Sequence, residues 1–104
     1  MVNKPLTACF LVGAREYINS ISGVDAGAVK RDVEAILAND LKVISTKQLR
    51  GRIRELIVGH HRFTYFKIET TVFFVRGFRK KSAKTPRNEI DYAEKMYRLL
   101  KKTS

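Results

Sequence analysis

The chain has 104 residues, 44% of them hydrophobic, and carries 21 Lys or Arg against 10 Asp or Glu, a formal net charge of +11. Those totals exclude a low-hydrophobicity disordered polymer and suit a single domain, 1–104, with a modest core. They also predict a polyanionic partner, because a small protein this basic repels itself until its charge is neutralised.

The opening stretch, MVNKPLTACFLVGARE, is too short in its apolar part and too soon charged for a secretory leader, and Leu6 to Leu11 reads as a first strand. Cys9 is the single cysteine, so neither an intramolecular disulfide nor a zinc cage is expected. A reducing cytoplasm is the expected compartment, and the apolar setting predicts a buried, inert thiol. Tyr17, Ile18 and Ile21 fall at helical spacing, which predicts a helix over Arg15 to Ile21 ended by Ser22-Gly23. Asp25 then caps a second helix whose Val29, Val33, Ile36 and Leu37 form one stripe. The two are predicted to pair as an antiparallel hairpin lying on a sheet.

Past Asn39-Asp40 the helical period fails, and Leu41 to Lys47 reads as a connection. Gln48 to Val58 reads as one strand bearing Arg50, Arg52 and Arg54, with Gly59-His60-His61 as its turn and Arg62 to Glu69 as the next strand. After a tight corner at Thr70-Thr71, the β-formers Val72-Phe-Phe-Val75 return antiparallel, completing a three-strand meander in which Phe73 and Phe74 point to opposite faces. Then come Arg76, Arg79, Lys80, Lys81, Lys84 and Arg87, with no acid between Glu69 and Glu89. Absent a bulge, period-two alternation puts Arg76, Phe78 and Lys80 on one face and Arg79 with Lys81 on the other. Thr85 is the expected cap of a last helix with Pro86 at its first position. There Ile90, Ala93, Tyr97 and Leu100 share the packing face. The expected class is α+β: a small antiparallel sheet with an N-terminal helical hairpin and a C-terminal helix.

The charge is unevenly placed, which says more than its size. Between Lys47 and Arg87 lie twelve Lys or Arg against only Glu55 and Glu69, so this stretch holds +10 of the +11. RNA can be cut without metal if its own 2′-hydroxyl attacks the adjacent phosphorus, which requires charge stabilisation and two proton transfers. The planar fork of arginine suits phosphate oxygens, and Arg62, Arg76 and Arg79 are the candidates. Lys80, Lys81 and Lys84 are crowded cations suited to holding phosphate or carrying a proton. Arg50, Arg52, Arg54, Arg87, Tyr65 and Phe78 complete the candidate RNA surface. Tyr65 and Phe78 have base stacking worth about 1–3 kcal/mol open to them, although Tyr65, in mid-strand, reads first as a core residue.

His60 and His61 read as solvated turn residues rather than an acid and base, and two adjacent histidines without carboxylate or cysteine make no zinc site. No cofactor is expected. Asp25, Asp32, Glu34 and Glu89 read as cap and surface charges. The plain alternative for the whole cationic run is a solvated face or a dock for an acidic protein segment, and composition alone supports only polyanion binding.

Leu49-Arg-Gly, Ile53-Arg-Glu-Leu56, Arg62-Phe-Thr-Tyr-Phe66, Gly77-Phe-Arg-Lys-Lys-Ser-Ala-Lys-Thr-Pro86 and Glu89-Ile-Asp-Tyr-Ala93 together resemble the HigB-like, phage-derived subgroup of the RelE superfamily, toxins of type II toxin-antitoxin systems. The resemblance implies a microbial ribonuclease-like fold, cleavage of messenger RNA on the ribosome, and a partner antitoxin of helix-turn-helix type; no membrane is expected, the apolar run at Val72–Val75 being too short to span one. One departure stands out: members commonly carry arginine directly after Glu-Leu, where this chain has Ile57, so that charge is either absent or replaced by Arg54 or Arg52. A non-catalytic RNA or ribosome binder of the same fold is the alternative.

Overall fold

The computed structural model describes residues 4–103. Thr7–Phe10 (β1) leads into Val12–Ser20 (α1) and Gly23–Leu37 (α2). After a 3-10 turn at Leu41–Val43 come Ser45–Arg50 (β2), Ile53–Val58 (β3), His61–Ile68 (β4) and Thr71–Arg79 (β5), then Arg87–Thr103 (α3). Ser22 caps α2, its hydroxyl accepting the Asp25 amide at 3.1 Å. Asp25, expected as the cap, sits in the first turn with its side chain free for another partner. Past the last turn, Asn39 takes φ 58° and the Asp40 amide reaches the Ala35 carbonyl at 2.8 Å, a Schellman closure that explains why the helical period stops there.

The strands form one sheet in the order β1-β5-β4-β3-β2, with β1 parallel to β5 and every other pair antiparallel. Helices α1 and α2 cover one face, where Ile18, Val29, Val33 and Ile36 meet Leu56, Phe63, Tyr65, Val72 and Phe74. Helix α3 covers the other, setting Ala93, Met96 and Tyr97 against Ile53, Phe66, Phe73 and Val75. Phe73 and Phe74 thus do point to opposite faces. Each fully buried phenylalanine contributes roughly 1.5–3 kcal/mol, and with Phe63, Phe66 and Phe74 spread over both faces, both demand a cover. Polar chemistry is thereby left to the end of the sheet that α3 does not reach.

The α+β class and the meander hold, and the sequence reading errs at boundaries. The stretch read as one strand, Gln48 to Val58, is two, because Gly51 at φ 54° reverses the chain. Strand β2 also reaches back to Ser45, inside the stretch expected to be a connection; being a largely exposed edge, it lacks the apolar alternation that would mark it. The β4–β5 turn is Glu69-Thr70 with Glu69 at φ 54°, one residue earlier than the expected corner. Cys9 is only half-buried.

A bulge does intervene in β5. Tyr65 faces Phe74 but Thr64 faces Arg76, so Val75 is an extra residue in the ladder. Val75 and Arg76 consequently point to the same side, toward α3: Val75 joins that core, and the Arg76 guanidinium lies 3.9 Å over the Tyr92 ring. Downstream the phase is inverted, so that Gly77 falls opposite Phe63 and Phe78 opposite Arg62. A Cβ at Gly77 would stand 2.5 Å from the Tyr17 ring and 2.7 Å from that of Phe63. Glycine is therefore required there by close approach of two rings. Gly77→Ala should lower stability by roughly 1–3 kcal/mol, the usual cost of overpacking, as read by urea unfolding; an unchanged midpoint would contradict the packing described.

Candidate functional site

On the α3 face, cross-strand pairing builds two rows. Glu55 lies opposite Thr64 and Thr64 opposite Arg76, while in the next row Ile57 lies opposite Arg62 and Arg62 opposite Phe78. Side chains so paired stand about 5 Å apart, which brings residues from three strands into one patch at the end of the sheet. The loop after β5 folds over it. A small cleft of about 10 Å³ is lined by Glu55, Arg62, Phe78, Lys80, Lys84 and Thr85, with Lys81 also at its wall. That is room for about one water molecule.

The groups around this cavity are mutually engaged. Glu55 is 2% exposed and accepts the Thr85 hydroxyl at 2.7 Å, while Arg62 Nε approaches its other oxygen at 4.0 Å. The Arg62 guanidinium donates to the carbonyls of Gly59 (2.8 Å) and His61 (3.0 Å). A buried carboxylate is tolerated only when hydrogen-bonded and countered by charge, and Thr85 with Arg62 meets both needs. The Thr85 oxygen, expected to cap α3, is thus a donor to Glu55. The Pro86 carbonyl accepts the Glu89 amide at 3.0 Å, so proline precedes the helix instead of opening it. Thr64 Oγ1 is buried in the middle of its row with no hydrogen-bond partner among the described residues.

Of the sequence candidates, Arg62, Phe78, Lys80, Lys81 and Lys84 gather round this cavity. Arg76 lies one row away, its guanidinium 3.4 Å from Glu89 and stacked on Tyr92. The others are elsewhere. Arg50 pairs with Asp91 at 2.8 Å and Glu94 at 3.3 Å, tying β2 to α3. Arg54 points to the other face and donates to Thr46 at 3.0 Å, and Arg52 sits in the exposed β2–β3 turn, so neither replaces the charge absent at Ile57. Tyr65 is 6% exposed and packs on Phe74 at 5.4 Å between ring centres; it is a core residue and no platform for a base. Arg79 faces the α1–α2 side, and Arg87 is exposed at the start of α3.

Sequence reasoning missed Glu55, although a signal existed: it is the single acid between Asp40 and Glu69, alternating with Ile53 and Ile57 on an inward face. It also misplaced His61. Far from solvated, His61 is 5% exposed, with Nδ1 at 2.6 Å from the Tyr17 hydroxyl and Nε2 at 2.9 Å from Asp25 Oδ2. One proton arrangement satisfies all three groups: tyrosine donates to Nδ1 and Nε2–H donates to the carboxylate. No local pattern could announce a bond between residues so far apart in sequence. Among the described residues, no three His, Cys, Asp or Glu gather so as to hold a metal ion, and no helix is long and apolar enough to cross a membrane.

Residues 22–98 match the family described as phage-derived protein Gp49-like. Among solved structures, the chain is similar to one in the RelBE2 toxin-antitoxin complex of Mycobacterium tuberculosis, with TM-score 0.60 and 21% identity over 74% of this chain and 100% of that one. The archaeal RelE-RelB complex of Pyrococcus horikoshii gives 0.65 and 8% over 76% and 98%, and the isolated Escherichia coli RelE toxin 0.58 and 16% over 92% and 99%. At such identities the likeness is one of fold. No curated protein matches the chain.

Burial raises the Tyr17 pKa above the usual phenolic value, with Asp25 adding to the rise and Arg79 opposing it. An acid whose folded pKa is raised contributes stability that is full below the unfolded value, near 10, and is lost as pH climbs through the folded one. Tyr17→Phe should flatten that alkaline decline and, by leaving His61 Nδ1 unpaired, cost about 1–3 kcal/mol at neutral pH. Urea unfolding at pH 7 and above pH 10 checks both; an unchanged neutral stability contradicts the bond.

Proposed function

Since the chain belongs to the phage-derived Gp49-like family, we propose that it is the toxin of a type II toxin-antitoxin pair, an endoribonuclease that cuts messenger RNA on the ribosome in the cytoplasm and is neutralised by an antitoxin, in this subgroup a helix-turn-helix protein. The observation that carries the reading is the joining of Arg62, Phe78 and three lysines around one buried carboxylate, on a fold shared with RelE toxins. A solvated charged face has no use for a carboxylate at its centre.

The chemistry assigned to these groups is transesterification. The 2′-oxygen bonds to the adjacent phosphorus and the bond from phosphorus to the 5′-oxygen breaks, leaving a 2′,3′-cyclic phosphate and a free 5′-hydroxyl. Glu55 takes the 2′-hydroxyl proton, Arg62 donates to the non-bridging oxygens as negative charge builds on them, and Lys80 or Lys84 protonates the departing oxygen. Phe78 lies in the row beside Arg62, placed to stack on a base next to the linkage. As the site stands, Thr85 holds Glu55 and the cavity takes one water, so RNA must lift residues 81–86 and draw Arg62 from its two carbonyls. A phosphate offers a charged acceptor in place of neutral ones, which favours that exchange.

A second reading has its own support. Ile57 stands opposite Arg62 where the resemblance puts arginine, which leaves the row one cation short and suits a protein that binds RNA or ribosomes without cutting.

Expression without an antitoxin should arrest growth. Arg62→Ala and Glu55→Gln, if they fold with unchanged melting, should each lower cleavage by about 10²–10³-fold, the usual effect of removing one such group, and relieve the arrest. Mapping transcript 5′ ends after induction separates the two readings: new ends bearing 5′-hydroxyls support the enzyme. A harmless wild type that leaves messenger RNA intact while sedimenting with ribosomes supports the binder.

A further inference from the structure

We infer that the cavity on the opposite face of the same strand end is a nucleobase pocket that selects guanine in the bound RNA strand, an assignment that rests on the RNA-directed reading above. The cavity is about 230 Å³, with Asp25, His60, His61 and Arg79 supplying its polar groups and Val58 and Gly59 among its walls. Drug-sized ligands take about 300–1,000 Å³, so the space is on the scale of a single base. It is also independent of the catalytic face, since Arg79 and Phe78 point to opposite sides of β5.

Its polar groups are of mixed sign, and the carboxylate is held in place. The buried His61 ring fixes Asp25 through Oδ2 at 2.9 Å, and Tyr17 fixes His61 in turn at 2.6 Å. Asp25 Oδ1 has no hydrogen bond among the described residues, and its side chain is 50% exposed. Arg79 has no ion pair among the described residues. A carboxylate repels phosphate and accepts N–H donors, so the occupant is a heterocycle offering donors on one edge and acceptors on another.

Guanine alone among the four bases presents two adjacent donors, N1–H and N2–H, which a carboxylate can accept together, and its O6 and N7 acceptors are the commonest target of arginine. The exposed His60 ring offers a stacking surface, and Gly59, without a side chain, lets a base approach. Reach is provided by the chain itself: Arg79 and Lys80 are consecutive, with Cα atoms about 3.8 Å apart, and the Lys80 amide is bonded to the His60 carbonyl at 2.8 Å. A strand whose reacting linkage lies by Arg62 and Lys80 can pass over this rim and drop a neighbouring base into the cavity.

The test is fluorescence anisotropy with short, uncleavable 2′-O-methyl RNAs that differ at one central position, at one fixed low salt concentration. Wild type should bind the guanine RNA about tenfold tighter than RNAs with inosine, 7-deazaguanine, adenine or uracil there, within the range set by one good bidentate contact. Inosine lacks the N2 donor and 7-deazaguanine the N7 acceptor, so wild-type protein alone tests both contacts. Asp25→Asn retains an oxygen for the His61 N–H and turns the free acceptor into a donor; it should shrink the guanine preference to within about twofold, while the lost negative charge raises affinity for all the RNAs alike. Equal wild-type affinity for guanine and inosine RNAs, or tighter binding of another base, overturns the pocket even if the protein cuts RNA. A guanine preference in a protein that cuts nothing supports the pocket and removes only the nuclease. Failure to bind any of these RNAs overturns the pocket, while the nuclease stands or falls on the transcript 5′ ends mapped above.

Discussion

One additional residue in the ladder, Val75, decides which side chains meet at the end of the sheet. If β4 and β5 paired without it, Phe63 would face Arg76 and Arg62 would face Gly77, so a guanidinium would be driven into the aromatic core under α1 and the cationic patch would lose Phe78. With the bulge, the small residue falls where two rings crowd and the polar ones fall where α3 leaves an opening. Bulges characteristically re-aim side chains near functional sites. Here the re-aiming puts Phe78 and Lys80 on the face of Arg62 and Arg79 on the opposite one.

The same arrangement settles the electrostatics of the resting protein. Cations gathered this closely repel one another, and Glu55 in their midst offsets part of that repulsion while its own burial is compensated by Thr85 and Arg62. The result is a site in which Glu55 and Arg62 both have protein partners. Its hydrogen bonds are ones that a phosphate can replace: two neutral carbonyls on Arg62 and one hydroxyl on Glu55. On the other face the bond chain from Tyr17 through His61 to Asp25 fastens both helices of the hairpin to β4, so the geometry of that cavity depends on core packing and not on a mobile loop.

Much of this was legible in the residues. The meander, the opposite facing of Phe73 and Phe74, the covering helices and the clustering of charge between Lys47 and Arg87 all follow from periodicity and composition. Strand β2 escaped because an exposed edge has no apolar rhythm, and the turn at Gly51 was hidden inside an arginine-rich run. Tyr65 was open to two readings because a mid-strand aromatic looks the same whether it faces core or solvent. His61 was misjudged for a different reason: its neighbours in sequence, Gly59 and His60, do form a turn, while the partners that bury it come from α1 and α2. Pairings at such separations are decided by the tertiary fold, and a single sequence carries no trace of them.

In the proposed complex, RNA meets the row of Ile57, Arg62 and Phe78 together with the lysines after β5. Nuclear magnetic resonance of the labelled protein, titrated with a short 2′-O-methyl RNA, addresses it directly. The Arg62 Nε–H and the backbone amides of Phe78, Lys80 and Thr85 should shift first and saturate together as residues 81–86 lift from Glu55. Shifts confined to the β2 edge and the outer surface of α3, with Arg62 still bonded to the carbonyls of Gly59 and His61, would contradict it.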